Sequence, residues 1–245
     1  QIDYPLVTHV DAARAAPTLI PTAPSGYRKR VRMTAAPIAG DHHAIAQRAV
    51  EAARQGARVL VVRNLVDDCV ATQQAVEEVA GADRRLRFGV DETPAPHHSR
   101  FASVDRARLD AAIEDAFGKT TAIRGVVAVA TQTVQQSLDI SASLLITDLC
   151  PVDVLLQRLG RLHRHGRAHP QPHAQPTCLV VTPEQRELGA AVVEGGDEEG
   201  RGLKGPHGLG TVYHDLRVLE ATWRLLEDDD LATWTRLPVA LRFSE

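Results

Sequence analysis

"GVVAVATQTVQQSLDISASLLITDLCPVDVLLQRLGRLHRHG", residues 125–166, holds in one stretch the pattern that decides the fold. Its opening, "GVVAVAT" (125–131), and its middle, "SLLITDL" (143–149), are strand-length runs that are nearly continuously apolar rather than apolar at alternate positions. Strands of that kind are covered on both faces, which predicts a parallel sheet with helices on either side. Between the two runs stands a polar cluster of Thr131, Gln132, Gln135, Gln136, Ser137 and Asp139. Open α/β sheets bind ligands beyond the carboxyl ends of their strands, so hydrogen-bonding side chains crowded just past a buried strand mark a site. Taken alone, the cluster also fits a polar turn. The stretch closes on a helical pattern over 151–166.

Outward from it the same alternation recurs. "VRMTAAPIA" (31–39), "ARVLVVR" (57–63), "RLRFGV" (85–90) and "TCLVVT" (177–182) are further strand-length runs. Helical patterns occupy 42–56, 66–81 and 103–118, and Gly56, Gly81, Gly118 and Gly166 each stand where a helix pattern ends. Residues 1–29 mix Pro5, Pro17, Pro21, Pro24 and Gly26 with small residues, as a linker would. The expected organisation is a connection over 1–29, an α/β domain over 30–185, and a C-terminal loop and helical extension over 186–245. In that extension a glycine-rich charged loop (193–210) precedes an amphipathic helix with Leu216, Leu219, Trp223 and Leu226 on one face.

Composition sets bounds. The 245 residues are 44% apolar, enough for a full core, and the net charge of −3 confines any nucleic-acid surface to a local patch. No apolar run is long enough to span a bilayer, and the opening "QIDYPLVTHVD" lacks the regions of a signal peptide, so a cytoplasmic location is expected. Cys69, Cys150 and Cys178 form no CxxC pair and are expected as small buried hydrophobes. The single methionine is Met33, from which a processed product or, in preference to it, an excised domain of a longer protein is expected.

Two stretches imitate other chemistry. "GKTT" (118–121) resembles the end of a phosphate loop, but Ile113 stands where that motif needs its first glycine, and Lys119 follows a helix instead of leading into one. "VDET" (90–93) has the look of a metal-binding acidic pair, but Pro94 and Pro96 follow at once, as in a surface loop. The pairs His42–His43 and His97–His98 lack the converging acidic ligands of a metal phosphohydrolase, and Asp41 more simply caps the next helix, so no metal site is expected.

On a helix, with Gln157 at zero, Arg161 falls at roughly 40° and Arg164 at roughly 340°, while Leu155, Leu159 and Leu162 cluster at roughly 140–200°. Gln157, Arg161 and Arg164 would then share a face opposite a leucine seam, with Arg158 and Arg167 elsewhere; the plainer reading is an amphipathic helix with solvated arginines.

"ATQTVQQSLDI" (130–140) followed by "LLITDLCPVDVLLQRLGRLHRH" (144–165) resembles motifs V and VI of superfamily-2 helicases. More closely, with "HHSRFASVDRARLD" (97–110), it is similar to the type I CRISPR-associated helicase-nuclease family. The resemblance implies a RecA-like lobe, the second of two, with ATP and Mg²⁺ held mainly by the first. It assigns arginine fingers to Arg161 and Arg164, alignment of the γ-phosphate or attacking water to Gln157, and nucleotide contacts to Asp139, Gly160 and Arg158. Asp139 could instead couple to the motif VI arginines. It assigns single-stranded DNA contacts to Thr131, Gln132, Gln136, Ser137, Ser99 and Arg100. The implied activity is ATP-driven 3′-to-5′ translocation. The implied partners are a first lobe, single-stranded DNA, a nuclease domain and an RNA-guided surveillance complex, with no membrane. With no phosphate loop, Asp-Glu motif or histidine-aspartate nuclease signature, the isolated chain is expected to be inactive. Competing expectations are the same lobe from a superfamily-2 DNA repair helicase and a non-catalytic DNA- or protein-binding module.

Overall fold

The computed structural model describes residues 6–9, 18–21, 29–135, 138–185, 188, 212, 213, 215–227 and 233–234. In chain order the strands are β1 (Leu6–His9), β2 (Thr18–Pro21), β3 (Val31–Ala36), β4 (Arg58–Val62), β5 (Gly89–Val90), β6 (Thr93–Pro94), β7 (Val126–Ala130), β8 (Leu144–Asp148), β9 (Thr177–Val181) and β10 (Thr233–Trp234). The helices are α1 (His42–Arg54), α2 (Val66–Ala80), α3 (Ser103–Phe117), α4 (Val152–Leu159) and α5 (Leu216–Glu227).

Five strands form a parallel sheet in the order β3-β9-β8-β4-β7, and β10 adds an antiparallel edge beside β3. The strands are apolar on both sides because both sides are covered. Val59 and Val61 of β4, Val127 and Val129 of β7 and Ile146 of β8 pack with Ile45, Ala49 and Val50 of α1 and with Cys69 and Val76 of α2. The alternate residues Leu60, Val62, Ala128, Leu145, Cys178 and Val180 pack on the other face with α3, α4 and α5, through Ile113, Phe117, Leu155, Leu159, Leu219 and Trp223. The chain is thus an α/β domain with a mostly parallel sheet, as its apolar runs predict. Asp41 caps α1 by accepting a hydrogen bond from the Ala44 amide at 2.8 Å. All three cysteines are buried and free.

Three expectations change. Residues 85–90 do not make a sixth parallel strand. A 3-10 turn at Arg84–Leu86 leads into the β5-β6 hairpin, whose two-residue loop, Asp91 (φ 50°) and Glu92 (φ 63°), is left-handed at both positions. The excursion still guards the sheet: Phe88 and His97 donate backbone hydrogen bonds to Val127 and Val129 on the outer edge of β7. The helix expected over 151–166 stops at Leu159. Beyond it Leu162 makes a parallel bridge with Ala142, and His163 takes a left-handed φ of 47°. Residues 1–29, expected as a linker, contain the antiparallel β1-β2 pair. The glycine-rich loop at 193–210 lies outside the described residues.

Candidate functional site

Register brings one group of candidate residues together at the carboxyl end of the sheet, whereas Arg161, Arg164 and Asp139 gather beside Ser141 and Ala142, ahead of β8. Val62 of β4 pairs with Ala130 of β7 and with Thr147 of β8. The next residues, Arg63 and Asn64 after β4, Thr131 after β7 and Asp148 at the end of β8, therefore emerge side by side.

Behind them runs a buried polar network. Arg63, 1% exposed, donates to both Asp148 carboxylate oxygens (2.9 and 3.1 Å), to Thr72 Oγ1 (2.6 Å) and to the Ala39 carbonyl (3.0 Å). Asp148 also accepts from the Asn64 amide at 2.7 Å. Arg158, 1% exposed, uses all five of its N–H groups. Nε reaches Gln135 Oε1 (2.7 Å), Nη1 reaches Thr147 Oγ1 (2.6 Å) and the Asp148 carbonyl (3.3 Å), and Nη2 reaches Asn64 Oδ1 (2.9 Å) and the Tyr213 hydroxyl (3.3 Å). Arg158, from which a nucleotide contact is expected, has all five donors engaged inside the lobe.

The other motif arginines differ in kind. Arg161, 5% exposed, donates from Nη2 to the Gln135 carbonyl at 2.7 Å, while its buried Nε has no partner among the described residues. Burial first, and then the charge of Arg164, lowers its pKa from the ordinary arginine value. Arg164 is more open and donates from Nε to Asp139 at 2.7 Å, where His165 Nε2 joins at 3.0 Å. Its hydrogen bond from His165, and then Arg164, hold the Asp139 carboxyl below the usual carboxylate range. The structure thus joins Asp139 to Arg164 and Gln135 to Arg161, although Arg161 and Arg164 lie past α4 and not on the helical face with Gln157.

Gln157 is half-buried on α4, and Gly160 ends that helix with ordinary right-handed angles. Thr131 is buried, and its amide donates to the His97 carbonyl at 2.9 Å. Gln132 donates to the Asn64 carbonyl at 2.9 Å. Gln136 and Ser137 lie outside the described residues. Ser99 and Arg100 are exposed on the loop after His97, with Arg100 paired to Asp67 at 2.6 Å. That loop is stitched to the segment after β7 by His97 Nδ1 and Thr133 Oγ1 at 2.7 Å, and Asp110 meets His97 Nε2 at 2.7 Å. Among the described residues no group of three His, Cys, Asp or Glu side chains is placed to hold a metal ion. No described helix is long and apolar enough to cross a membrane.

Sequence reading missed Arg63, Asn64, Asp148 and Lys29. A signal existed for the first three, because "VVRN" and "ITD" put charged or amide side chains at the ends of otherwise apolar strands. Lys29 carried none.

Residues 55–167 match the family described as CRISPR-associated nuclease/helicase Cas3, C-terminal. The CRISPR-associated endonuclease/helicase Cas3 of Thermus thermophilus is 40% identical over 135 residues, which are 54% of this chain but only 13% of that protein. The crystal structure of T. fusca Cas3-ATP aligns with a TM-score of 0.70 at 28% identity, over 97% of this chain and 26% of that one. A chain of a CRISPR RNA-guided surveillance complex, pre-nicking, aligns with a TM-score of 0.62 at 28% identity, over 95% of this chain and 27% of that one. By motif over residues 55–167 and by fold over nearly the whole chain, the protein is similar to the C-terminal helicase part of Cas3 nuclease/helicases, of whose length it spans about a quarter or less.

Proposed function

We propose that this lobe is the second half of an ATP-driven DNA motor, in which Arg161 and Arg164 serve as arginine fingers. The observation that carries this reading is Arg161 itself. Its guanidinium donates to the Gln135 carbonyl in the segment between β7 and β8, while its buried Nε has no partner among the described residues. An unpartnered buried donor on a permanent cation is suited to an incoming phosphate oxygen. ATP with Mg²⁺, held mainly by a first lobe, supplies the γ-phosphoryl group. Here Arg161 and Arg164 stabilise the charge that develops on it, and Gln157, at the open side of α4, helps to align it. Asp139 sets the Arg164 side chain through their ion pair, and Gly160 leaves room for close approach.

Thr131 and Gln132, with Gln136 and Ser137 beyond the described residues, are assigned to the single-stranded DNA path together with Ser99 and Arg100. The stitching of the loop at 97–100 to the segment after β7 supports one continuous phosphate-gripping edge. Such contacts position a strand without reading its sequence. Translocation in the 3′-to-5′ direction, delivery to a nuclease domain, recruitment by an RNA-guided surveillance complex and a cytoplasmic setting complete the proposal. The T. fusca Cas3-ATP structure and the surveillance-complex neighbour support its nucleotide and partner parts.

The test is ATP hydrolysis stimulated by single-stranded DNA in the complete two-lobed protein. Arg161→Ala is expected to lower turnover by roughly 10³ to 10⁵, the usual value of an arginine finger. Undiminished turnover would remove the finger assignment and favour a binding module.

A further inference from the structure

We infer that Lys29 is a positioning residue that holds the turn carrying Arg161, tying the chain segment that enters the domain to the finger. The inference rests on the motor reading above. Lys29 lies just before β3, yet its side chain crosses to the end of α4, where its ammonium donates to the Leu159 carbonyl at 2.7 Å and to the Leu162 carbonyl. These two carbonyls bracket Gly160 and Arg161. On the turn's other side, Ala142 donates to the Arg161 carbonyl (2.8 Å) and accepts from the His163 amide (3.0 Å). The turn is therefore clamped from both sides, with Ala142 fixing one and Lys29 the other. The ammonium also sits at the C-terminal end of α4, where the orphan carbonyls and the helix dipole favour a cation.

Among the described residues its hydrogen-bond partners are main-chain carbonyls and not a carboxylate, and it is only 8% exposed. A buried lysine held in this way is costly, and hydrophobic packing alone would be served better by methionine or leucine. What the ammonium supplies that an apolar side chain cannot is a closed turn at Arg161.

The groups facing Lys29 are Arg164 and His163 on the segment after α4 and Cys178 on β9. Burial first, and then the charge of Arg164, pull the Lys29 pKa down to about 8, while Cys178 raises it. His163 is held neutral and the Cys178 thiol is pushed far up, so neither titrates with Lys29. As pH rises through 8 the ammonium becomes an amine, a weaker donor, and the clamp loosens. Stability moves the other way. A lysine whose folded pKa lies below its unfolded value binds fewer protons folded than unfolded between pH 8 and 10.5, so this group favours the folded state more as pH rises across that window. Turnover that falls while stability does not is the signature of positioning, which a merely structural lysine would not give.

The experiment measures DNA-stimulated ATP turnover from pH 7 to 9.5 in the complete protein and in its Lys29→Met, Lys29→Arg and Arg161→Ala variants. Amide exchange of residues 157–165 is followed alongside. Lys29→Met is expected to lower kcat about tenfold at pH 7.5 with a smaller change in KM for ATP, and to speed exchange in the turn. Lys29→Arg, a cation at every pH tested, is expected to lack the decline above pH 8. Wild-type turnover and exchange in Lys29→Met would overturn the inference. So would a Lys29→Arg profile that declines as the wild type does, and this arm decides the matter if Lys29→Met does not fold. If Arg161→Ala is unimpaired while Lys29→Met still loosens the turn, the motor reading has failed and the clamp has not.

Discussion

At the scale of single residues, three arginines that sequence spacing makes look alike have three different environments. Arg158 is spent on the core, Arg164 is paired with Asp139, and Arg161 keeps a buried Nε without a partner among the described residues. The difference comes from burial and from partners far along the chain, among them Asn64, whose Oδ1 accepts from Arg158 at a separation of 94 residues. It predicts opposite phenotypes for neighbouring substitutions. Arg158→Met removes five donors at once and leaves Asn64, Gln135 and Thr147 short of partners inside the lobe. Breaking a buried charged network by deleting one member costs about 3 to 5 kcal/mol, and denaturant unfolding should show a loss of that size. Arg158→Lys should recover only a small part of it, because an ammonium offers three donors from one point and cannot reproduce the planar fork. A Lys variant as stable as the wild type would mean that the five hydrogen bonds are not what holds Asn64, Gln135 and Asp148 in register. Arg161→Ala, by contrast, should change turnover far more than stability.

At the scale of elements, the segment after α4 is where local pattern and tertiary structure part company. The periodicity of residues 151–166 continues past Leu159, but Leu162 is taken by Ala142 in a bridge and Lys29 seals the turn, so the helix ends where outside partners for its carbonyls appear. Two further histidines keep the segment in place. His163 and His169 stack with centroids 3.5 Å apart, and both are tied to Ser143, His163 through its carbonyl at 3.0 Å and His169 through its hydroxyl at 3.1 Å. Burial above all pulls each pKa from 6.5 down to about 4, so both are neutral in the fold. The unfolded chain then binds more protons than the folded one between those values. The stabilisation is complete above pH 6.5 and is lost as pH falls toward 4. The melting temperature should therefore decline from pH 7 to 5, and His169→Gln should flatten part of that decline. Among the described residues the remaining slope belongs to His163 and to His42, His97, His98 and His173, whose pKa values burial also lowers. Identical slopes for the wild type and His169→Gln would show that the stack does not carry the effect. The misread strand at 85–90 has a related cause. Its composition suits a strand, and Arg87 makes one parallel bridge with Val127 of β7, but the left-handed Asp91 and Glu92 then fold the chain back into a hairpin, so the pairing goes no further as a strand.

At the scale of the whole molecule, the α/β class was legible because strands buried on both faces leave unbroken apolar runs, and β4, β7, β8 and β9 all do. Their order was not legible, since nothing in "ARVLVVR" marks a strand as central, with β8 on one side and β7 on the other. The two polar segments of the candidate site were legible from residue type and their place after apolar runs, but the shared helical face read for Gln157, Arg161 and Arg164 was not, because α4 ends at Leu159. The clamp and the network beneath them were not, because Lys29 meets Leu159 across 130 residues and Arg63 meets Asp148 across 85. In the proposed motor this lobe contributes arginines and hydrogen-bonding side chains, and the triphosphate is cradled by the other lobe. Among the 245 residues of this chain the phosphate-loop pattern does not occur. An arginine finger lowers a barrier only for a phosphoryl group that something else already holds in line. The isolated chain, with its fold first verified by circular dichroism and cooperative unfolding, should therefore hydrolyse ATP no faster than the background rate, with or without single-stranded DNA. The complete protein under the same conditions should be active. DNA-stimulated turnover by the isolated chain would mean that the arginines act on a nucleotide this lobe binds by itself, and the division of labour between two lobes would have to be abandoned.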